Sequence, residues 1–154
     1  MALFKSVQAA GAAFYPIPSS NNATDLIASV ADFTTVAGMT NNDVIEMAAL
    51  PAGYVVVDII IDTESLAGTA FTADVGLMSG AWGAGGARTV ANQFMTGKAF
   101  GTAGIYRADV AGFSRVAPTT GDRAIGIRGT TVTALVADRK IRMTAILRPQ
   151  AEGS

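Results

Sequence analysis

The 154-residue sequence contains no cysteine and no histidine. Without cysteine there is no disulfide framework, and the absence of both residue types excludes a Cys/His zinc site. Histidine is also the commonest general base, so nucleophiles activated by histidine are excluded as well. The three lysines, at positions 5, 98 and 140, lie in no recognisable catalytic motif. We therefore predict that the protein is not an enzyme and that it holds no metal and no cofactor.

Aromatic and charged residues are scarce, at 7% and 15% of the chain, although half of all residues are hydrophobic. No uninterrupted apolar run reaches the length of about 18 residues that a membrane helix needs. The first residues also lack the apolar core of a signal peptide. A weakly charged chain rich in small apolar residues is typical of proteins that bury surface in an assembly. We predict no membrane association, and an oligomeric or lattice-bound state.

Acidic and basic residues are distributed unevenly along the chain. Residues 1–77 contain eight acidic residues and one basic residue, and residues 78–154 contain four acidic and ten basic residues. This asymmetry indicates complementary contacts, either between neighbouring strands of one domain or between subunits, and we favour the first. The arginines near the C-terminus alternate with apolar residues and have no aromatic stacking platform beside them. We therefore predict no nucleic-acid binding.

Residues 50–78 carry the strongest strand pattern in the sequence. The β-branched run over 54–62 favours a strand, and alternation over 71–78 favours a second one. We predict that these two strands form a pair in one antiparallel sheet. In the first strand the predicted buried face consists of Val55, Val57, Ile59 and Ile61, opposite Tyr54, Val56, Asp58, Ile60 and Asp62. In the second strand the predicted buried face consists of Phe71, Ala73, Val75 and Leu77.

Further strands are predicted over residues 43–48, 105–107, 123–129, 132–136 and 139–147, with turn residues between them. Residues 25–36 are predicted to form one strand or two short ones, and their apolar spacing fits a helix nearly as well. A short helix is predicted over residues 88–100, with Val90, Phe94 and Met95 on one side. Seven or eight short strands indicate an all-β fold, an antiparallel β-sandwich resembling a jelly roll. We predict an extended N-terminal arm over residues 1–23, the sandwich domain over 24–149 and a C-terminal tail over 150–154.

Two segments offer candidate partner contacts. Pro16 and Pro18 keep the arm extended, and its apolar side chains favour docking on a neighbouring subunit. The alternative is that the arm pairs as an edge strand of its own sandwich. Trp82, in the glycine-rich loop 79–87, is either a partner contact or packs under its own loop, which lacks the Lys of a phosphate-binding loop. The candidate contact residues are Phe4, Phe14, Tyr15, Ile17 and Trp82.

Three carboxylates, Asp58, Asp62 and Glu64, lie close together in sequence. Paired carboxylates can act in acid–base catalysis or bind calcium. Asp58 and Asp62 are four residues apart on one strand, so they are separated by about 13 Å, too far to share a ligand. We therefore predict that they are solvated charges at a strand end.

Four segments resemble the small head proteins of tailed bacteriophages that are encoded with the major capsid protein. These segments are residues 42–46 (NDVIE), 50–58 (LPAGYVVVD), 74–80 (DVGLMSG) and 141–149 (IRMTAILRP). The resemblance implies a capsid decoration, or cement, protein with a β-sandwich fold. Its implied partners are the major capsid protein and further copies of itself, with a trimer favoured over a dimer. Its implied location is the outer head surface of a virion assembled in the host cytoplasm.

Two other functions are compatible with the sequence. One is another virion component, such as a tail or head–tail connector protein. The other is a carbohydrate-binding β-sandwich, which requires exposed aromatic residues on a strand face, and the predicted strands offer mainly Tyr54.

Overall fold

A computed structural model of the protein describes residues 1–6 and 26–150, with the backbone alone for 67–69. Within these residues the chain forms strands and one short 3₁₀ helix, with no α-helix and hence none that could cross a membrane. In chain order they are β1 (Leu3–Lys5), β2 (Ile27–Thr34), β3 (Val44–Leu50), β4 (Tyr54–Thr63), β5 (Ala67–Leu77), β6 (Met95–Ala99), β7 (Gly104–Arg107), the 3₁₀ helix (Phe113–Arg115), β8 (Arg123–Leu135) and β9 (Lys140–Pro149).

The strands form two sheets that pack face to face. The five-stranded sheet has the order β1-β3-β8-β5-β6, and the four-stranded sheet has the order β2-β9-β4-β7. All neighbouring strands are antiparallel except β1 and β3, which are parallel. Aliphatic and aromatic side chains from the inner faces of both sheets form one continuous core. The prediction of an all-β antiparallel sandwich is confirmed.

The predicted pairing of the two strands within residues 50–78 is wrong. β4 belongs to the four-stranded sheet and β5 to the five-stranded sheet, so the chain crosses between sheets after Thr63. Phe71, Ala73 and Val75 of β5 are buried in the core, as predicted. The alternation shows that each strand has one buried face. Two strands paired in one sheet and two strands in facing sheets both produce this alternation. The pattern therefore does not encode which sheet each strand joins.

A β-bulge at Val57 changes the face assignment within β4. The pairing with β9 shifts register between Val56 and Asp58, so one extra residue is inserted there. Ile59 and Ile61 point into the core as predicted, but before the bulge the core residues are Tyr54 and Val56. The predicted placement of Val55 and Val57 on the inner face is therefore wrong, because a bulge reverses the alternation on one side of it.

The predicted helix over residues 88–100 is wrong as well. Val90, Phe94 and Met95 are all buried, but they belong to an extended segment and to β6. The backbone N–H of Phe94 donates to the carbonyl of Val75 at 3.0 Å, and the N–H of Phe100 donates to Phe71 at 2.8 Å. Gly97 has φ of +58°, which interrupts a right-handed helix. The segment follows β5 because these backbone bonds hold it there.

The other predicted strands are present, with one change of length. The segments predicted over 25–36, 43–48 and 139–147 correspond to β2, β3 and β9. The two predicted strands over 123–129 and 132–136 form a single strand, β8. Opposite β5, its register shifts near Thr130, so a bulge produces the break that the sequence suggested.

The first residues of the predicted arm form an edge strand of the chain's own sandwich. β1 pairs with β3 from Leu3 opposite Val44 to Lys5 opposite Glu46. The backbone N–H of Ala2 donates to Asp43 Oδ1 at 2.6 Å. The rest of the predicted arm, from residue 7 onwards, and residues 151–154 of the predicted tail lie outside the described residues. The edge-strand alternative therefore holds for residues 3–5.

Candidate functional site

The outer face of the five-stranded sheet is covered by residues 78–94, here called the covering loop. Gly76 of β5 lies directly beneath it, and a Cβ at this position would stand 2.0 Å from the carbonyl oxygen of Ala91. The covering loop and the sheet share a second, smaller apolar cluster outside the main core. Its buried members are Val44, Met78, Val90 and Ala124, and the half-buried Leu3 and Trp82 pack against them.

A buried ion pair fixes the covering loop to the sheet. Arg88 Nη1 lies 2.5 Å from Oε1 of Glu46 on β3, and their side chains are 3% and 0% exposed. The same carboxylate oxygen accepts the backbone N–H of Gly83 at 2.9 Å. Arg88 Nε donates to the carbonyl of Ser79 at 2.7 Å. Arg88 therefore connects the start of the covering loop, at Ser79, to Glu46 on the sheet.

Lys5 of β1 adds a second strand to this network. Its Nζ donates to the carbonyl of Gly83 at 3.0 Å and lies 3.6 Å from Glu46 Oε2. The glycine-rich segment is therefore held from both sides, by the edge strand and by β3. Such support fixes this segment against the sheet.

Trp82 lies at the tip of the covering loop, beside the turn that precedes β8. Its backbone N–H donates to the carbonyl of Asp122 at 3.0 Å. Its half-buried indole packs on the smaller apolar cluster and borders a shallow depression of about 510 Å³. The other walls come from Thr120, Asp122 and Arg123. Trp82 thus packs on its own chain, which is one of the two arrangements considered from sequence, and it also borders an open depression.

The outer face of the four-stranded sheet carries half-buried aliphatic side chains near its middle. Thr144 of β9 stands between Val30 of β2 and Ile60 of β4, and Ile146 follows on the same face. These four side chains are half-buried in the isolated chain. Among the described residues, 114–118 border the end of this face near Val55, which is 5% exposed. The result is a small aliphatic surface in the middle of the sheet.

Ion pairs surround this aliphatic surface. Arg142 of β9 donates to both carboxylate oxygens of Asp32 on β2, at 2.6 and 3.0 Å. Arg107 of β7 pairs with Asp58 of β4. In the other sheet Arg128 pairs with Asp74 at 2.5 Å. These pairs, like Glu46 with Arg88, join an acid from the first half of the chain to a base from the second. The preference for oppositely charged neighbouring strands is confirmed.

The carboxylates singled out from sequence do not form a common site. Asp58 is buried and pairs with Arg107, so the prediction of a solvated charge is wrong at this position. Asp62 is exposed opposite Arg142, and Glu64 accepts the backbone N–H of Lys140 at 2.8 Å. No group of acidic residues within 1–6 and 26–150 is arranged to hold a metal ion.

The candidate contact residues lie in different environments or outside the described part of the chain. Phe4 packs edge-to-face on Phe33 with ring centroids 6.3 Å apart, so it contributes to its own domain. Phe14, Tyr15 and Ile17 lie outside the described residues. Tyr54 is 3% exposed and offers no aromatic surface on a strand face. The aliphatic surface around Ile60 was missed, and its only sequence signal was the mixed outer face of β4.

Two solved structures contain chains of the same fold. Over 98% of its length the chain matches 100% of a chain from the capsid of Ralstonia phage GP4, with 28% sequence identity and a TM-score of 0.87. A chain from the capsid asymmetric unit of cyanophage Pam1 shares 18% identity with a TM-score of 0.66, over 91% of this chain and 96% of that one. The second likeness concerns the fold alone. No protein-family model and no curated protein sequence matches the chain. The likeness to the first structure supports a structural protein of a phage capsid.

Proposed function

We propose that this chain is a bacteriophage head protein that decorates the outer surface of the shell and stabilises the lattice of the major capsid protein. The observation that carries this proposal is the likeness along nearly the whole chain to a chain of the Ralstonia phage GP4 capsid, at 28% identity. It agrees with the independent resemblance of four segments to small phage head proteins. In this proposal the protein joins the virion in the host cytoplasm.

The stabilisation follows from mass action. A protein that binds the assembled lattice but not the free subunits shifts the equilibrium toward the assembled state. At a free concentration 100-fold above the dissociation constant, each occupied site contributes about 2.7 kcal/mol. Many sites on one shell add up to a large resistance to disassembly, without any catalytic step.

The outer face of the four-stranded sheet is the surface that suits this contact. The covering loop occupies the corresponding face of the other sheet, so its aliphatic side chains are already packed. Val30, Ile60 and Ile146 keep part of their apolar surface free, and the pairs Asp32–Arg142 and Asp58–Arg107 border them. An apolar centre with a charged rim is the usual arrangement of a protein–protein interface. Its occupant in this proposal is the major capsid protein.

The proposal also includes the predicted arm and the oligomeric state. Phe14, Tyr15 and Ile17 supply apolar anchors, and Pro16 and Pro18 lower the entropy lost when the segment docks. We assign them to a neighbouring subunit or to the shell. The preferred oligomer is a trimer, which light scattering of the purified protein measures directly. A monomer both in solution and on the particle contradicts this part of the proposal.

The central experiment measures binding to phage heads that lack this protein. The full chain should co-sediment with such heads at saturating stoichiometry and raise their disassembly temperature. Ile60→Asp should weaken this binding by a factor of 100 or more, because it places a charge in the apolar centre of the contact. Val36→Asp, at a residue exposed outside the strands, is the matched control and should bind normally.

Three results would contradict the proposal. The protein could fail to bind heads, it could co-purify with tails or connectors instead, or it could bind without any change in head stability. Normal binding of a folded Ile60→Asp protein would contradict only the assigned contact surface.

A further inference from the structure

We propose that the depression beside Trp82 binds the pyranose ring of a carbohydrate. We call it the Trp82 cup, and it is lined by Gly80, Trp82, Thr120, Gly121, Asp122 and Arg123. This binding function is separate from the proposed attachment to the shell. It rests on one half-buried aromatic platform and on polar groups that keep unused hydrogen-bonding capacity.

Trp82 provides the platform. One part of its indole is supported by the smaller apolar cluster, and its backbone is fixed by the bond to Asp122. The indole N–H has no hydrogen-bond partner among the described residues and is not buried. Gly80 and Gly121 add no side chains beside it. A supported aromatic ring with an accessible N–H suits a sugar, whose C–H face packs on the ring and whose hydroxyls accept hydrogen bonds.

Asp122 and Arg123 supply fixed polar groups. Asp122 uses Oδ1 to accept the backbone N–H of Ala52 at 2.9 Å, which leaves Oδ2 available. Arg123 uses Nε and Nη2 to donate to the carbonyl of Met78 at 3.0 and 2.5 Å, which leaves Nη1 available. Both side chains are therefore oriented before any ligand arrives, and this lowers the entropy cost of binding. Neighbouring sugar hydroxyls can donate to the carboxylate and accept from the guanidinium.

The charges of the cup select against other small ligands. Asp122 offsets the attraction of Arg123 for an anion such as phosphate, and Arg123 offsets the attraction of Asp122 for a cation, so a neutral polyol suits the pair. The depression is shallow and open to solvent, which suits the end of an oligosaccharide more than an enclosed cofactor. Trp82 packs on the outer side of the five-stranded sheet, away from the outer face of the four-stranded sheet. Sugar and shell can therefore be bound at the same time.

Trp82 is the single tryptophan of the chain, so its fluorescence reports on the cup directly. We would titrate the full-length protein with maltotriose, lactose and N-acetylglucosamine trimer, up to tens of millimolar. At least one of them should produce a saturable shift of the emission. Asp122→Asn keeps Oδ1 for Ala52 and should weaken that binding by about tenfold or more, because it removes a charged acceptor.

Asp138→Asn is the matched control. Asp138 is exposed in the turn between β8 and β9, at the opposite end of the sandwich, and its φ of +60° suits Asn equally well. Its sugar affinity should equal that of the parent protein, and all three proteins should melt at similar temperatures. No saturable shift with any of the three sugars overturns the proposal, as does unchanged affinity in Asp122→Asn. If Trp82→Ala instead weakens binding to phage heads, with no sugar response in the parent, the cup is a protein contact and the proposal is wrong.

Discussion

The carboxylate of Glu46 on β3 and the guanidinium of Arg88 in the covering loop meet at 2.5 Å, both almost fully buried. A charge pair in such a position is costly to desolvate and is therefore sensitive to the loss of either partner. Here it joins the covering loop to the sheet that the loop protects. The pair thus adds a charged contact to the apolar cluster and the backbone hydrogen bonds that hold the loop on the sheet.

Removing one partner of this pair should destabilise the whole domain. We expect Arg88→Met to lower the free energy of unfolding by about 3–5 kcal/mol, because the buried Glu46 then keeps the N–H of Gly83 and a single described cation, Lys5 at 3.6 Å. Urea unfolding measures the loss. The double variant Glu46→Leu/Arg88→Met should recover most of it, since neither charge of this pair then remains buried. A single variant as stable as the parent would show that the pair does not hold the loop.

Closure of the covering loop over Gly76 gives a second prediction. Gly76→Ala should destabilise the protein by about 1–3 kcal/mol, because the new Cβ would meet the backbone carbonyl of Ala91. The loop must move away, which also strains the hydrogen bond from Ala91 N–H to Leu77. Gly85→Ala is the control, since no atom lies within 4 Å of its Cβ, and it should change stability by less than about 0.5 kcal/mol. Equal melting temperatures for both variants would contradict the close packing.

The adjacent residues Ile59 and Ile60 should respond in opposite ways to the same substitution. Ile59 is fully buried in the core, so Ile59→Asp should prevent folding by placing an unpaired charge there. Ile60 faces outwards, so Ile60→Asp should fold and lose binding to phage heads instead. Circular dichroism and solubility distinguish the two variants. A soluble Ile59→Asp protein with a cooperative melt would show that the face assignment after the bulge is incorrect.

Asp43 should make stability depend on pH in the acidic range. Burial acts to raise its pKa, but hydrogen bonds from the backbone N–H groups of Thr40 and Ala2 and from the Thr40 hydroxyl hold the pKa below its ordinary value of 3.8. A lowered pKa in the folded state stabilises the protein at pH values above about 4, and this contribution is lost as the pH falls further.

Asp43→Asn tests this dependence. The variant should be less stable than the parent at neutral pH, and the difference should shrink as the pH falls below 3.8, where the aspartate becomes protonated. Urea unfolding at a series of pH values measures the difference. A constant difference between the two proteins would mean that the charge on Asp43 does not contribute.

The sequence identified strands well where one face is buried by the opposite sheet. Phe71, Ala73 and Val75 of β5 show this, because their alternation with polar residues reflects the core alone. Asp74 and Gly76 on the other face are also buried, since Arg128 and the covering loop lie over them. Nothing local in the sequence indicates that a distant loop covers this face.

The bulge at Val57 could not be predicted from the sequence either, because its position depends on a distant strand. Residues 54–57 are a tyrosine followed by three valines, so their only polar group is the tyrosine hydroxyl. Either set of alternate residues in this run could therefore face the core. The register became fixed only through pairing with β9, almost ninety residues later in the chain. For the candidate sites, composition singled out Trp82, whereas the surface around Ile60 exists only once β2, β9 and β4 are assembled.

The strand order also determines when this protein can fold during translation. β9 lies between β2 and β4, and β8 lies between β3 and β5, so the inner partners of both sheets are synthesised last among the described strands. Ile27 pairs with Leu147, which the ribosome adds roughly 6–24 s later at ordinary elongation rates. During that interval the edges of β2 and β4 that pair with β9 have no partner on the nascent chain. Slower ribosomes prolong this exposure, so the yield of soluble protein should depend on elongation speed and on chaperones at the exit tunnel.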